Sequence, residues 1–213
     1  MSKTTVVSGG IADGTIATAD IADSAITAAK TSGVGGLVPL IKTTISSATA
    51  AVEFNSTYVT TTYNTYKVII RDLVPATDNA DLYAYVTNDN FSSYNNSAGD
   101  YMSVILSSDS GDEHADNTGN SNRSQIYLTA SVQGLGTATG ESGYFEITFN
   151  PHGSLHKNFL AFGAYKGSSA ESVFSRSAHV HTRNTTAING IRFQMSSGNI
   201  ASGVFNLYGI LEA

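Results

Sequence analysis

The stretch Gly143-Tyr-Phe-Glu-Ile-Thr-Phe149 alternates large apolar residues with polar or amphipathic ones. In an extended strand, this period of two places Phe145, Ile147 and Phe149 on one face. The stretch Ile191-Arg-Phe-Gln-Met195 repeats the pattern. A strand with one apolar and one polar face is typical of an antiparallel sheet that covers a core on one side.

Similar stretches continue from Leu37 to the C-terminus and predict eleven strands. They are Leu37–Ser46, Ala51–Asn55, Tyr66–Leu73, Leu82–Thr87, Tyr101–Leu106, Ser124–Ala130, Gly143–Phe149, Phe159–Tyr165, Val173–Thr182, Gly190–Met195 and Gly203–Leu211. Polar turn clusters separate them, and two long loops are predicted at Asn88–Asp100 and Ser107–Arg123. We therefore expect an all-β fold, an antiparallel β-sandwich of the jelly-roll-like kind.

The composition agrees with this fold class and excludes several kinds of partner. Charged residues make up 13% of the chain, about half the usual share. The net charge is −6, and no basic stripe is present, so no nucleic-acid partner is expected. There is no cysteine, which excludes disulfides and thiolate metal sites. No apolar run reaches the ~18–20 residues of a membrane span, so no membrane insertion is expected.

The N-terminal segment carries an isoleucine at every fifth position. These residues are Ile11, Ile16, Ile21 and Ile26. A period of five fits neither a helix nor a strand, and the Asp-Gly and Asp-Ser pairs between the isoleucines favour bends. Twenty such residues form no core of their own, so the isoleucines need a covering surface. Copies of the chain around a symmetry axis or a groove on a larger assembly are the two candidates, and a disordered linker is the alternative.

A glycine-rich break at Thr31–Gly36 marks the predicted domain boundary. We expect residues 1–36 to form an extended arm for attachment and assembly, and residues 37–213 to form the β-sandwich domain. The segment Met1–Val7 lacks the apolar core of a signal peptide. This favours synthesis in a cytoplasm without classical export.

Residue patterns for catalysis are sparse. No Gly-x-Ser-x-Gly elbow occurs, and paired carboxylates occur only in the loop Asp109–Asp116. This loop offers oxygen ligands of the kind that Ca²⁺ prefers, but it lacks the spacing of an EF-hand loop. A solvated acidic loop is the alternative interpretation. We expect no enzymatic activity and no cofactor.

The pair His179-Val180-His181 is a candidate metal site. Residues i and i+2 of a strand face the same side, so three chains around an axis bring six imidazoles together, an octahedral set for a transition metal. The alternative is a pair of surface histidines on an outer strand. Ser175, Arg176 and Ser177, which precede the pair, are expected to face solvent.

Tyrosines supply the remaining candidate ligand groups. Tyr58, Tyr63, Tyr94 and Tyr101 lie in or beside turns rich in Asn, Ser and Thr. Exposed tyrosines with amide neighbours suit sugar rings, which they bind by stacking and hydrogen bonding. Core tyrosines with their hydroxyls at the rim are the alternative, and the sequence names no glycan-binding residue.

Parts of the chain resemble a known class of proteins. The repeat from Ile11 to Lys30 resembles repeats near the N-termini of tailed-bacteriophage fibre and appendage proteins. Tyr66–Leu82 and the ending Gly203–Ile210 resemble a strand–turn–strand and an ending of the same proteins. The His-x-His pair at 179 and 181 resembles metal-binding positions in some trimeric phage tail fibres. The resemblance covers about a quarter of the chain directly.

This resemblance implies a virion protein, usually trimeric, with an N-terminal attachment segment and a distal β domain. The expected function is that of a short fibre or spike subunit of a tailed phage. It would assemble as a homotrimer, contact other virion proteins through its arm and bind host-surface glycan through its sandwich. The alternative is a capsid decoration or cement protein that stabilises the junctions of capsid subunits.

Overall fold

All regular structure in the described part of the chain is extended. The computed structural model describes residue 21 and residues 36–110, 116–129 and 133–212, and for residues 116–118 it describes the backbone alone. No helix able to cross a membrane occurs within these ranges. The strands are β1 (Leu37–Ile45), β2 (Val52–Phe54), β3 (Thr65–Pro75), β4 (Leu82–Thr87), β5 (Tyr101–Asp109), β6 (Asp116–Arg123), β7 (Ile126–Tyr127), β8 (Gly143–Phe149), β9 (Lys157–Lys166), β10 (Ser172–His181), β11 (Gly190–Met195) and β12 (Ile200–Ile210).

The strands form two antiparallel sheets of unequal size. The larger sheet has the order β1-β12-β3-β8-β9-β10-β5-β6, and the smaller has the order β2-β11-β4-β7. The connections β5–β6, β8–β9 and β9–β10 stay within the larger sheet, whereas all others between the named strands cross from one sheet to the other. The prediction of an all-β antiparallel sandwich is therefore confirmed, and the repeated crossing is its jelly-roll-like feature.

The core lies between the two sheets, within the unit Gly36–Glu212. Strand β8 contributes Phe145, Ile147 and Phe149, all fully or almost fully buried. Phe149 stacks on Phe159 of β9 with ring centroids 5.8 Å apart. Aromatic side chains of this size contribute most of the buried apolar area in such a core.

Glycine makes room for one of these rings. Gly163 of β9 lies opposite Phe145 of β8. A Cβ atom at Gly163 would lie 2.5 Å from the Phe145 ring and 2.7 Å from Oγ of Ser175. The phenyl ring thus occupies the space that a side chain at position 163 would need, so any larger residue there would displace the ring.

The loop Asn88–Asp100 is ordered by one carboxylate. Asp89 accepts hydrogen bonds from the Ser93 hydroxyl at 2.6 Å, from the Ser93 main-chain N–H at 3.0 Å and from the Thr87 hydroxyl at 2.7 Å. These bonds hold the pKa of Asp89 at about 2, with the Ser93 hydroxyl the largest cause. The loop therefore has a fixed course, which carries Tyr94 back onto the smaller sheet.

The prediction of a second long loop at Ser107–Arg123 is wrong, because strands occupy both ends of this range. Strand β5 continues to Asp109, and β6 occupies Asp116–Arg123. The sequence of β6 is Asp-Asn-Thr-Gly-Asn-Ser-Asn-Arg, which contains no apolar residue. Strand β6 lies at the edge of the sheet and pairs with β5 alone, so main-chain hydrogen bonds hold it and no buried face is required.

Candidate functional site: the tyrosine face

The outer surface of the smaller sheet carries a row of tyrosines. Tyr83 and Tyr85 lie on the same side of β4, and Tyr127 of β7 is paired with Tyr83. The Tyr83 and Tyr127 rings meet edge to face with centroids 4.7 Å apart. Tyr94, from the loop Asn88–Asp100, meets Tyr85 in the same manner at 5.2 Å. We call Tyr83, Tyr85, Tyr94 and Tyr127 the tyrosine face.

Two arginines lie on the rings of this face. The guanidinium carbon of Arg192 lies 4.9 Å from the centroid of Tyr94, and that of Arg123 lies 4.5 Å from the centroid of Tyr127. Both distances are within the range of a cation–π interaction. Arg192 is held from its other side, because its Nη1 donates to Oε1 of Glu53 at 2.5 Å. The rings and the cations therefore form one fixed surface.

Hydrogen-bonding groups surround the rings. The Tyr83 hydroxyl donates to Oδ2 of Asp81 at 3.2 Å, and Nε2 of Gln125 donates to the Tyr127 hydroxyl at 2.8 Å. Nε of Arg192 donates to Oε1 of Gln194 at 2.8 Å. Aromatic faces flanked by amide, carboxylate and guanidinium groups are suited to a polyhydroxylated ring, because such a ring has apolar C–H faces and hydroxyl edges.

Burial keeps the phenol groups of β4 neutral. It raises the pKa of Tyr83, to which the negative charge of Asp81 adds, and it also raises the pKa of Tyr85. Burial likewise raises the pKa of Asp81, while hydrogen bonds from Thr129 and Tyr83 lower it. The Tyr83 hydroxyl therefore remains a donor over the physiological pH range.

The tyrosines singled out from the sequence separate into two groups. Tyr94 belongs to the tyrosine face. Tyr101 is fully buried, donates to the main-chain oxygen of Asn95 at 2.9 Å and accepts from the main-chain N–H of Val86 at 3.1 Å. Tyr58 and Tyr63 pack against the core. For Tyr101, the alternative interpretation as a core tyrosine is the one that the structure supports.

Sequence reasoning missed Tyr83, Tyr85 and Tyr127. A usable signal was present for the first two, since Leu82-Tyr-Ala-Tyr-Val-Thr87 alternates. Its tyrosines fall on one face and its small or aliphatic residues on the other. Tyr127 lies in a two-residue strand, and its approach to Tyr83 depends on the pairing of β4 with β7.

Both predicted metal ligands are buried inside the sandwich. Nε2 of His179 lies 3.1 Å from the main-chain oxygen of Tyr127, and Nε2 of His181 lies 2.9 Å from Nδ2 of Asn95. Burial lowers the pKa of each to about 4. A site shared by three chains needs imidazoles on an outer face, whereas these rings point inward. No cluster of three or more His, Cys, Asp or Glu side chains occurs among the described residues.

The two serines before this pair also face inward, so the expectation that they face solvent is wrong. Ser175 donates to the main-chain oxygen of Leu128 at 2.6 Å, and Ser177 donates to that of Tyr127 at 2.8 Å. The inner face of β10 is polar because it packs on main-chain carbonyl groups at the end of the smaller sheet. Hydroxyl and imidazole donors satisfy these carbonyls where apolar side chains would leave them unpaired.

The remaining predicted sites fall largely outside the described residues. Of the assembly residues, Ile11, Ile16 and Ile26 lie there, while Ile21 is 40% exposed. Residues 111–115 of the acidic loop, between the ends of β5 and β6, also lie outside the described ranges.

Comparisons with protein-family models, with curated proteins and with solved structures gave no match. The assignment of function therefore depends on the sequence pattern and on the geometry of the sandwich.

Proposed function

We propose that this chain is a structural virion protein of a tailed phage, a short fibre or spike subunit. In this proposal residues 1–36 anchor the subunit to other virion proteins, copies of the chain form a homotrimer, and the sandwich faces outward to bind a host-surface glycan. The proposal assigns the chain no catalytic role.

The observation that supports glycan binding best is the tyrosine face. Its members lie on the outer surface of the smaller sheet, and Tyr94 and Tyr127 are half-buried. Tyr85 is only 8% exposed, because Tyr94 packs against it and Arg192 lies beside it on β11. A ligand therefore reaches Tyr94 and Arg192 before it reaches Tyr85. The aromatic faces supply stacking without the conformational freedom that longer side chains lose on binding.

The fixed charges around this surface favour a polar ligand over an apolar one. Arg192 is paired with Glu53 at 2.5 Å, so its remaining N–H groups keep a set direction. Neutral hydroxyl groups of a sugar satisfy such donors and carboxylate acceptors together. An apolar ligand would leave these groups without hydrogen bonds, which is costly.

The test is binding of the full-length protein to an array of bacterial surface polysaccharides. We expect binding to at least one polysaccharide, and a loss in affinity of at least about fivefold on Tyr94→Ala or Arg192→Ala, since a lost stacking or charge-assisted contact is worth about 1–3 kcal/mol. Tyr208→Ala is the matched control, because Tyr208 is a half-buried tyrosine of β12, in the other sheet.

Two results would contradict the proposed ligand. One is the absence of binding across the polysaccharides of the host, and the other is equal loss in the control and in the two site variants. The anchoring part of the proposal would be contradicted by a protein that binds glycan normally and joins the particle without its arm. Deletion of residues 1–30 tests this, because we expect the truncated chain to bind glycan and to be missing from the particle.

A further inference from the structure

The outer surface of the larger sheet is apolar over three neighbouring strands. Its members are Met102, Val104 and Leu106 of β5, Leu160 and Phe162 of β9, and Phe174 of β10, and each is between 40% and 63% exposed. We call these six residues the apolar face. Strands β9, β10 and β5 are adjacent in the sheet, and the six side chains share its outer side. Ala178 and Arg176 of β10 lie between the members on β9 and those on β5.

The inner sides of two of these strands are mixed in polarity, and the outer side of β5 is apolar. Along β5, the buried Ser103 and Ser107 share the inner side with the buried Tyr101 and Ile105, while the three apolar residues of the face point outward. On the inner side of β10, two serines and two histidines follow the buried Val173. The outer side of a sandwich that faces water is usually polar. The apolar outer side of β5 therefore favours a form of the protein in which another surface covers it.

The shape of the apolar face is complementary to itself. Leu160 is the most exposed of the six, at 63%, and it projects next to Ala178 of β10, its partner in the pairing of the two strands. On the other side of Ala178, a shallow hollow of about 450 Å³ lies over β10, β5 and β6, lined by Met102, Val104 and Gly119. A leucine that projects on one side of Ala178 and a hollow on the other side let one copy place its leucine in the hollow of the next. Such a head-to-tail contact closes into a ring of the kind that a homotrimer requires.

The area and the charge of the face favour a second copy over an unrelated partner. Six large side chains exposed to this degree present roughly 500 Å² of apolar surface, at the upper end for a monomer and a large part of the ~800 Å² that one side of a stable interface buries. The strands of the face contribute one charged side chain near its centre, Arg176, for which no ion pair is present among the described residues. Depletion of charge is typical of the core of homo-oligomer interfaces.

We propose that the apolar face is the surface through which copies of this chain associate, with Leu160 of one copy seated in the hollow beside Ala178 of the next. This inference rests on the part of the proposed function in which copies of the chain associate, and it assigns a surface to that association. Neither a virion nor a glycan is needed for its test, so failure here is distinguishable from failure of the glycan or particle assignment.

The first experiment is sedimentation equilibrium of the full-length chain. We expect the wild type to sediment with the mass of two or more chains of 22.3 kDa each. We expect Leu160→Arg to weaken association at least about tenfold, as for the loss of a buried interface anchor. Leu155→Arg is the matched control, because Leu155 is 76% exposed and lies in the loop between β8 and β9, outside the face. A monomeric wild type, or a Leu160→Arg variant that associates like the wild type, would overturn the proposal.

The second experiment measures protection directly and does not depend on disruption. The chain has no cysteine, so single variants Leu160→Cys and Leu155→Cys can be labelled with a maleimide without background. We expect the thiol at position 160 to be labelled at least tenfold more slowly than that at position 155 in the assembly, and equally fast after dilution to monomer. Equal rates in the assembly would place the contact elsewhere and overturn the proposal. Protection that persists in the monomer would mean that the chain covers its own face, which also overturns it.

Discussion

Nε2 of His179 lies 3.1 Å from the main-chain oxygen of Tyr127, and this contact joins the larger sheet to the end of the smaller one. The ring N–H donates to the carbonyl, which places the proton of the neutral ring at Nε2. Nδ1 of His179 is buried without a hydrogen-bond partner among the described residues. Protonation of this imidazole would therefore place an unpaired charge inside the sandwich.

This arrangement makes stability depend on pH. Burial lowers the pKa of His179 and of His181 to about 4, whereas an unfolded histidine titrates near pH 6.5. The unfolded chain therefore binds more protons between pH 6.5 and pH 4, so stability is complete above pH 6.5 and falls as the pH decreases through this window. For His179 alone the loss by pH 4.5 is about 2–3 kcal/mol.

Urea unfolding at pH 7.5 and pH 4.5 measures this loss. The variant His179→Gln has no titrating group at this position, so we expect a smaller difference between the two pH values than in the wild type. His152→Gln is the control, since His152 lies outside β10 and its Nε2 contacts the main-chain oxygen of Thr60. Equal stability of the wild type at both pH values would show that the buried histidines do not titrate in this way.

Tyr101 anchors the loop that carries Tyr94. Its hydroxyl bridges Asn95 and Val86, so Tyr101→Phe removes two hydrogen bonds and leaves a buried carbonyl and a buried N–H unpaired. We expect a destabilisation of about 1–3 kcal/mol and, if the loop shifts, weaker glycan binding. Urea unfolding provides the measurement, and Tyr208→Phe, in the other sheet, is the control. A loss in Tyr101→Phe no greater than in the control would contradict the anchoring role.

Gly163 has no room for a side chain. A methyl group there meets the Phe145 ring at 2.5 Å, and the ring is held by the surrounding core. Gly163→Ala should therefore destabilise the fold by about 1–3 kcal/mol through overpacking. Gly119→Ala is the matched control, because Gly119 is also in a strand and a Cβ atom added there would have no other atom within 4 Å. Thermal unfolding of both variants decides the question, and equal midpoints would contradict the close packing of Gly163 on Phe145.

Lys157 joins two loops at one end of the sandwich. Its buried Nζ donates to the main-chain oxygen of Gly153 at 2.7 Å and to that of Thr185 at 3.1 Å. We expect Lys157→Met to speed hydrogen exchange in residues 150–156 and 182–189, because both loops lose a charge-assisted hydrogen bond. Lys166→Met serves as the control at the far end of the same strand. Unchanged exchange in both loops would show that Lys157 does not hold them together.

The alternation of apolar and polar residues made much of the fold predictable. Leu82–Thr87, Gly143–Phe149 and Gly190–Met195 have the predicted bounds, because each has a residue pattern that fixes both its period and its ends. Strand β6 was unpredictable for the opposite reason. It contains no apolar residue, and its conformation comes from main-chain pairing with β5. Main-chain pairing requires no particular residue pattern, so the local sequence does not predict the strand.

The orientation of β10 was beyond sequence reasoning as well. In Val173–His181 the serines and histidines alternate with Phe174, Arg176, Ala178 and Val180, so the pattern gives two faces but does not say which is inside. An apolar core would select the face with Phe174. The carbonyl groups of Tyr127 and Leu128 select the other face, and these groups reach β10 only through the tertiary fold.

We propose that the protein is a tail appendage of a phage particle, and its position on that particle tests this claim. Immunogold electron microscopy with antibodies against the sandwich, combined with quantitative mass spectrometry of purified virions, gives both location and copy number. We expect label at the tail and copies in the tens or fewer. Label distributed over the capsid with copies in the hundreds would contradict this claim and indicate a capsid decoration protein, and absence from the virion would contradict both.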